Sequence, residues 1–112
     1  MSEISWDDFQ KIDMRVGTIV KAEAFPEARR PAYKLWVDLG EQLGVKKSSA
    51  QITKHYELDE LPGKQVLCVC NFPPKQIGPI TSEILVTGFL TENGGVILAS
   101  PDKPIPNGSR LA

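Results

Sequence analysis

The sequence predicts an all-β fold, a small closed sheet carrying one or two short helices. Three observations support this. Apolar runs of strand length recur along the chain, most clearly over residues 33–39 and 66–70. Turn signals built on Gly, Pro and Asn separate them at intervals of roughly ten residues. Helical patterning is confined to two short stretches, residues 6–12 and 50–56.

Bulk properties bound the rest. With 112 residues the chain is the size of one domain with one core. The expected division is an N-terminal helical extension (1–13), a barrel (14–99) and a C-terminal strap (100–112). No apolar run approaches the ~20 residues of a membrane helix, so no membrane insertion is expected. Residues 1–9 are acidic and lack an apolar core, so no secretory signal is read and a cytoplasmic location is expected. The net charge of −1 does not mark a general nucleic-acid binder. Basic residues nonetheless cluster, as Arg29, Arg30 and Lys34 and as Lys46, Lys47 and Lys54. This fits either a basic recognition face or a mixed solvated surface.

Ser5 before Asp7 and Asp8 reads as a helix cap, with Trp6, Phe9 and Ile12 at helical spacing. A helix this short needs a docking partner, its own barrel or a second copy of the chain. Residues 14–24 alternate: Val16, Thr18, Val20 and Ala22 on one face, Arg15, Gly17, Ile19 and Lys21 on the other. Gly17 would permit a barrel bend. Over residues 33–39 the inward set is Tyr33, Leu35, Val37 and Leu39; Lys34, Trp36 and Asp38 point outward. An outward Trp36 either meets a partner or is covered by the N-terminal helix. Residues 45–49 read as a short strand, 50–56 as helical, and 58–64 as a turn. Strands are expected over 65–72, 82–90 and 96–99, with a hairpin turn at Glu92-Asn93-Gly94-Gly95. The proline-rich end reads as an extended strap pinned by Ile105 and Leu111.

The stretch over residues 66–86 organises the chain. Between two apolar runs, Pro73 and Pro74 stiffen a loop bearing Asn71, Lys75, Gln76, Thr81, Ser82 and Glu83. That is either a presented binding surface or a plain proline-bearing turn. Catalytic and metal chemistry find no support. The single His55 has no suitably spaced partner, and Cys68 and Cys70 sit i,i+2 on one strand as small buried hydrophobes. No enzyme activity, metal or cofactor is expected.

Several segments line up with a family. They are Asp13-Met14-Arg15-Val16-Gly17, Pro26-Glu27-Ala28-Arg29, Tyr33-Lys34-Leu35, the run from Lys47 to Lys54, Asn71-Phe72-Pro73-Pro74-Lys75, Ser82-Glu83 and Pro104-Ile105-Pro106-Asn107-Gly108. In this order they resemble the tRNA-binding domain family, and within it the small stand-alone protein-export chaperones. The resemblance implies an OB-fold, a five-stranded β-barrel with added terminal elements used in dimerisation. It also implies a homodimer, with unfolded precursor proteins, the translocation motor SecA and tRNA, bound at its outer corner through the barrel face, as partners. Carried over by motif, the tRNA-binding positions are Lys34, Asn71, Lys75, Ser82 and Leu85. Ser82-Glu83-Ile84-Leu85 departs from the family's Ser-x-Gly-Met.

Two sets of candidate residues follow. A peptide-binding groove would be walled by Trp36, Phe72, Pro73, Pro74 and Ile77. A tRNA-binding face would track phosphates with Arg15, Lys34, Lys47, Lys54 and Lys75, beside Asn71, Ser82 and Leu85.

Overall fold

The computed structural model describes residues 1–112. Helix α1 (Trp6–Gln10) begins where the acidic first turn requires. The Ser5 hydroxyl accepts from the Asp8 N–H at 3.0 Å, and the Asp8 carboxylate accepts from the Ser5 N–H at 3.1 Å. This reciprocal box satisfies donors a helix start leaves open. The helix closes two residues short of the expected Ile12. Trp6 stacks at 5.3 Å on Phe9 yet stays 64 % exposed, so the barrel of its own chain does not bury it.

Strand β1 (Met14–Ala24) has the expected span and pairs antiparallel with β2 (Tyr33–Asp38) on one side and β4 (Gln65–Val69) on the other. Ile19 lies opposite Val37 but Lys21 lies opposite Trp36, so Val20 is an extra, bulged residue. The expected face of Val16, Thr18, Val20 and Ala22 therefore breaks at Val20. Ile19 is fully buried, Val20 is exposed, and Ala22 joins the inward side. The irregularity in the strand is thus the bulge at Val20 and not Gly17, the expected site of a bend. Gly17 serves space instead: a Cβ there would lie 2.5 Å from Val37 Cγ1 and 2.7 Å from Leu39 Cδ2.

Beyond β2 comes β3 (Val45–Ala50), and β4 also pairs with β7 (Leu85–Val86), giving the antiparallel order β3-β2-β1-β4-β7. The sheet curls into a nearly closed OB-like barrel. Its open edge at β3 is sealed by the segment entering β7. Glu83 N donates to Lys47 O at 2.8 Å, Lys47 N donates to Glu83 Oε1 at 3.0 Å, and Ser49 N donates to Ser82 Oγ at 3.3 Å. Ile19, Leu35, Val37, Leu39, Leu61, Val66 and Cys68 fill the interior, each fully buried. Burial of an aliphatic side chain of this size contributes about 1.5–3 kcal/mol. Cys68 is part of that packing, and burial pushes its thiol up to about 12.

Three sequence expectations are revised. Ala50 closes β3 and residues 51–56 are loop with a turn over 53–55 rather than helix, and the short helix is a 3₁₀ turn at Leu58–Glu60. Ile52 and Tyr56, four apart, are both anchors. Ile52 is buried, and the Tyr56 hydroxyl accepts from Leu98 N at 3.0 Å. The expected strand over 82–90 divides into β7 and β8 (Gly88–Leu90), the latter pairing with β9 (Val96–Leu98). The strap is held by polar groups, while Ile105 and Leu111 stay exposed. Gln65 bridges the backbone N–H and carbonyl of Ile105, and Thr18 Oγ1 donates to Asn107 Oδ1 at 2.8 Å. Gly108 and Ser109 bond to the Val16 backbone. No helix is long and apolar enough to cross a membrane.

Candidate functional site

The stiff loop after β4 is tied down at its first residue. Asn71 Oδ1 accepts from Asp13 N at 2.9 Å, and Asn71 Nδ2 donates to Lys11 O at 2.7 Å. Both ends of the amide thus hold the junction of α1 and β1. Asn71→Ala is expected to cost about 1–2 kcal/mol, since two exposed hydrogen bonds are lost. Thermal denaturation checks this, and an unchanged midpoint would count against it. Beyond Asn71, Phe72 is 55 % exposed and Pro73 and Pro74 face solvent. The expected loop then becomes a hairpin, β5 (Lys75–Ile77) with β6 (Ile80–Ser82). Gly78 turns it at φ +54°, and Gln76 Nε2 donates to Gly78 O at 2.7 Å.

Between this hairpin and β7 runs an open groove of about 520 Å³. Phe72, Pro73, Pro74, Ile77, Ile84 and Leu85 supply its apolar walls; Lys75, Ser49, Ser82 and Glu83 supply polar groups. The structure brings together residues from both expected sets. Phe72, Pro73, Pro74 and Ile77 share the groove with Lys75, Ser82 and Leu85.

The remaining candidates do not line it. Trp36 is half-buried on the outer face of β2, between Lys21 and Lys47, with Lys21 Nζ 4.6 Å from its ring centre. Arg15 is engaged elsewhere: its guanidinium grips Asp13 through Nε at 2.9 Å and Nη2 at 3.1 Å, and Nη1 donates to Gln42. Lys34 sits 3.7 Å from Glu23 and over Phe25. Lys47 stands on the outer face and seals the barrel edge with its backbone. Lys54 donates to the Asn93 carbonyl. Asn71 is bound at both ends, as above.

The hydrogen bond from Arg15, aided by Arg110, holds the Asp13 carboxyl below the usual carboxylate range against a smaller opposing effect of burial. A carboxyl with a folded pKa below its unfolded one stabilises above the unfolded value and loses that contribution as pH falls below about 4. Melting midpoints followed from about pH 5 to about pH 2 should therefore drop further for the unaltered chain than for Asp13→Asn. Parallel curves would refute the linkage.

Ser49 and Ile84 belong to the groove although their sequence context singled out neither as a ligand contact, and Glu83, one of the polar groups of the expected loop, joins them. Ser49 and Glu83 arrive there because the barrel closes, which no local pattern encodes.

The family model "Putative tRNA binding domain" matches residues 14–110. The chain belongs to the tRNA-binding domain family. Among solved structures this tRNA-binding domain is similar to the chaperone CsaA of Bacillus anthracis str. Ames. That likeness has a TM-score of 0.93 and 45 % identity, covering 99 % of this chain and 100 % of that one. The CsaA chaperone protein of Picrophilus torridus gives a TM-score of 0.91 at 48 % identity, with 98 % and 100 % coverage. Among curated proteins, the methionine–tRNA ligase of Methanocaldococcus jannaschii is 33 % identical over 111 residues. That match takes in 99 % of this chain but 17 % of the ligase, so the chain spans about a sixth of that relative. The similarity to the ligase lies in the tRNA-binding domain alone.

Proposed function

We propose that this tRNA-binding-family chain acts as a homodimeric protein-export chaperone that holds extended apolar segments of unfolded precursor proteins. The observation carrying this reading is the groove itself. Its walls of Phe72, Pro73, Pro74, Ile77 and Leu85 are apolar and stiffened by two prolines, yet open to solvent. Each peptide side chain buried there would contribute about 1.5–3 kcal/mol. A few such contacts give micromolar, reversible binding, which suits a holding role. The likeness to two structures named as CsaA chaperones supports it. The role is one of binding rather than catalysis, placed in the cytoplasm, with SecA as the motor to which precursors pass.

Dimerisation is supported by apolar groups that this chain leaves uncovered. Ile4 precedes the N-terminal helix and Trp6 opens it, and Phe89 and Leu90 stand on the β8–β9 hairpin, all more than 60 % exposed. A second copy would remove them from water. Light scattering that returns a monomer mass at working concentration would sink the homodimer.

A second reading, binding of tRNA through the same barrel face, is favoured by Lys75, Ser82 and Leu85 in the groove and by the family match. Salt separates the two. Labelled tRNA and an unfolded precursor peptide would be titrated at about 50 and about 200 mM salt. Peptide binding that persists at both concentrations supports the chaperone reading. Peptide binding absent at both refutes it, and steeply salt-dependent tRNA binding then leaves the second reading in place.

A further inference from the structure

The C-terminal strap occupies a sheet edge. β2 covers that edge of β1 only from Thr18 onward. Over residues 14–16 the strap takes its place. Val16 N donates to Ser109 O at 3.0 Å, Gly108 N donates to Val16 O at 2.7 Å, and Leu111 N donates to Met14 O at 2.8 Å. These are main-chain bonds, which any extended polypeptide can make. The strap itself contributes nothing to the core: no residue beyond Leu98 is buried. Its side-chain anchors lie at or near the surface, with Asn107 held by Thr18 and Gln65 and Arg110 donating to Gln10 O. A segment with few buried apolar contacts opens at low free energy. Its charge also fits poorly. Arg110 lies directly across from Arg15, and like charges so placed repel. Asp13 is the carboxylate shared by both, 2.9 Å from Arg15 Nε and 3.8 Å from Arg110 Nε. A strand with an uncharged residue opposite Arg15 would remove the repulsion and leave Arg15 and Asp13 balanced.

We infer that the edge of β1 over residues 14–16 is a second polypeptide-binding slot, which the strap fills until an extended, uncharged segment of an unfolded protein displaces it and adds as a strand. The inference rests on the chaperone reading above and adds to it a site that recognises backbone where the groove recognises apolar side chains. The occupant is the kind already seated there, an extended chain bound through its N–H and carbonyl groups. Between clients the strap keeps the edge paired, so no bare strand is offered for aggregation. The fraction of time the strap is off then sets the apparent affinity of the slot.

The test is amide hydrogen exchange, read residue by residue on the full chain, with a short Val/Thr peptide that has no charged side chain. At saturation the Gly108 and Leu111 amides should exchange about tenfold faster or more, while Val16 stays protected because a peptide carbonyl replaces Ser109 O. The same release should persist in Phe72→Ala. A peptide methylated at every backbone nitrogen, which has no donors for the ladder, should release nothing. Asn107→Ala and Thr18→Val each remove an anchor of the strap and should tighten binding of the unmethylated peptide by about three- to tenfold in isothermal titration. Peptide bound with Gly108 and Leu111 still protected, release that disappears in Phe72→Ala, or affinity unchanged in both anchor variants overturns the slot and leaves the groove reading standing. Strap amides that lose protection in concentrated protein without peptide assign the edge to a second copy's strap and overturn the client. A chain that binds no peptide in any variant overturns both the slot and the chaperone reading.

Discussion

Phe72→Ala is expected to weaken binding of an unfolded precursor peptide by about ten- to a hundredfold. Phe72 is the largest apolar surface in the groove, and more than half of it is open to solvent in the unliganded chain. A ligand that covers the ring therefore gains burial that the folded chain has not already taken, about 1.5–3 kcal/mol. Every 1.4 kcal/mol is tenfold in the dissociation constant. Fold stability should hardly move, because the ring packs little against its own barrel. Isothermal titration with the peptide, beside a thermal melt of the variant, separates the two effects. A melt that collapses together with binding would make Phe72 a core residue and remove it from the site.

Gly17→Val should be the most damaging single change in the barrel, costing about 3 kcal/mol or more. Gly17 lies on β1, where β2 crosses closest. Its missing side chain leaves room for Val37 and Leu39, and even a lone Cβ would sit 2.9 Å from the Asp38 carbonyl oxygen. Overpacking a tight core typically costs 1–3 kcal/mol, and a branched side chain pressed against backbone falls at or above that range. At roughly 4–8 °C per kcal/mol for a chain of this size, the midpoint should fall by more than about 10 °C. Gly44→Ala is the contrast. Nothing lies near its Cβ position, and its φ of +70° makes the penalty one of backbone strain, about 1–2 kcal/mol. If the two variants melt alike, crowding at Gly17 is not what limits the β1–β2 packing.

The candidate site was partly legible in the chain. Two prolines between apolar runs marked a stiff, exposed corner, and Phe72, Pro73, Pro74, Lys75 and Ile77 do line one groove. Trp36 read equally well as a wall, since an outward aromatic looks the same in sequence wherever its strand lies. Only the register, with Lys21 and Lys47 as its neighbours, sets it apart from the groove. Arg15 and Lys34 read as free cations because the carboxylates that neutralise them, Asp13 and Glu23, are assigned by geometry. Arg29 and Arg30 were visible as a cluster, but their nearness to Lys75 depends on a hairpin folding back across the barrel.

Local chemistry alone determined that this chain is a small closed sheet, where its first helix starts, that strands run over Met14–Ala24 and over 33–39, one residue beyond the observed β2, and that two prolines stiffen the corner after β4. Side-chain alternation, capping and fixed proline φ are properties of neighbours in sequence, so they can be read there. The bulge at Val20, the sealing of β3 by Glu83, the polar pinning of the strap and the sorting of cations into paired and unpaired were decided by tertiary structure. Each depends on which distant residue arrives opposite. That is a question of register and closure, and a period-two pattern carries no record of its partner.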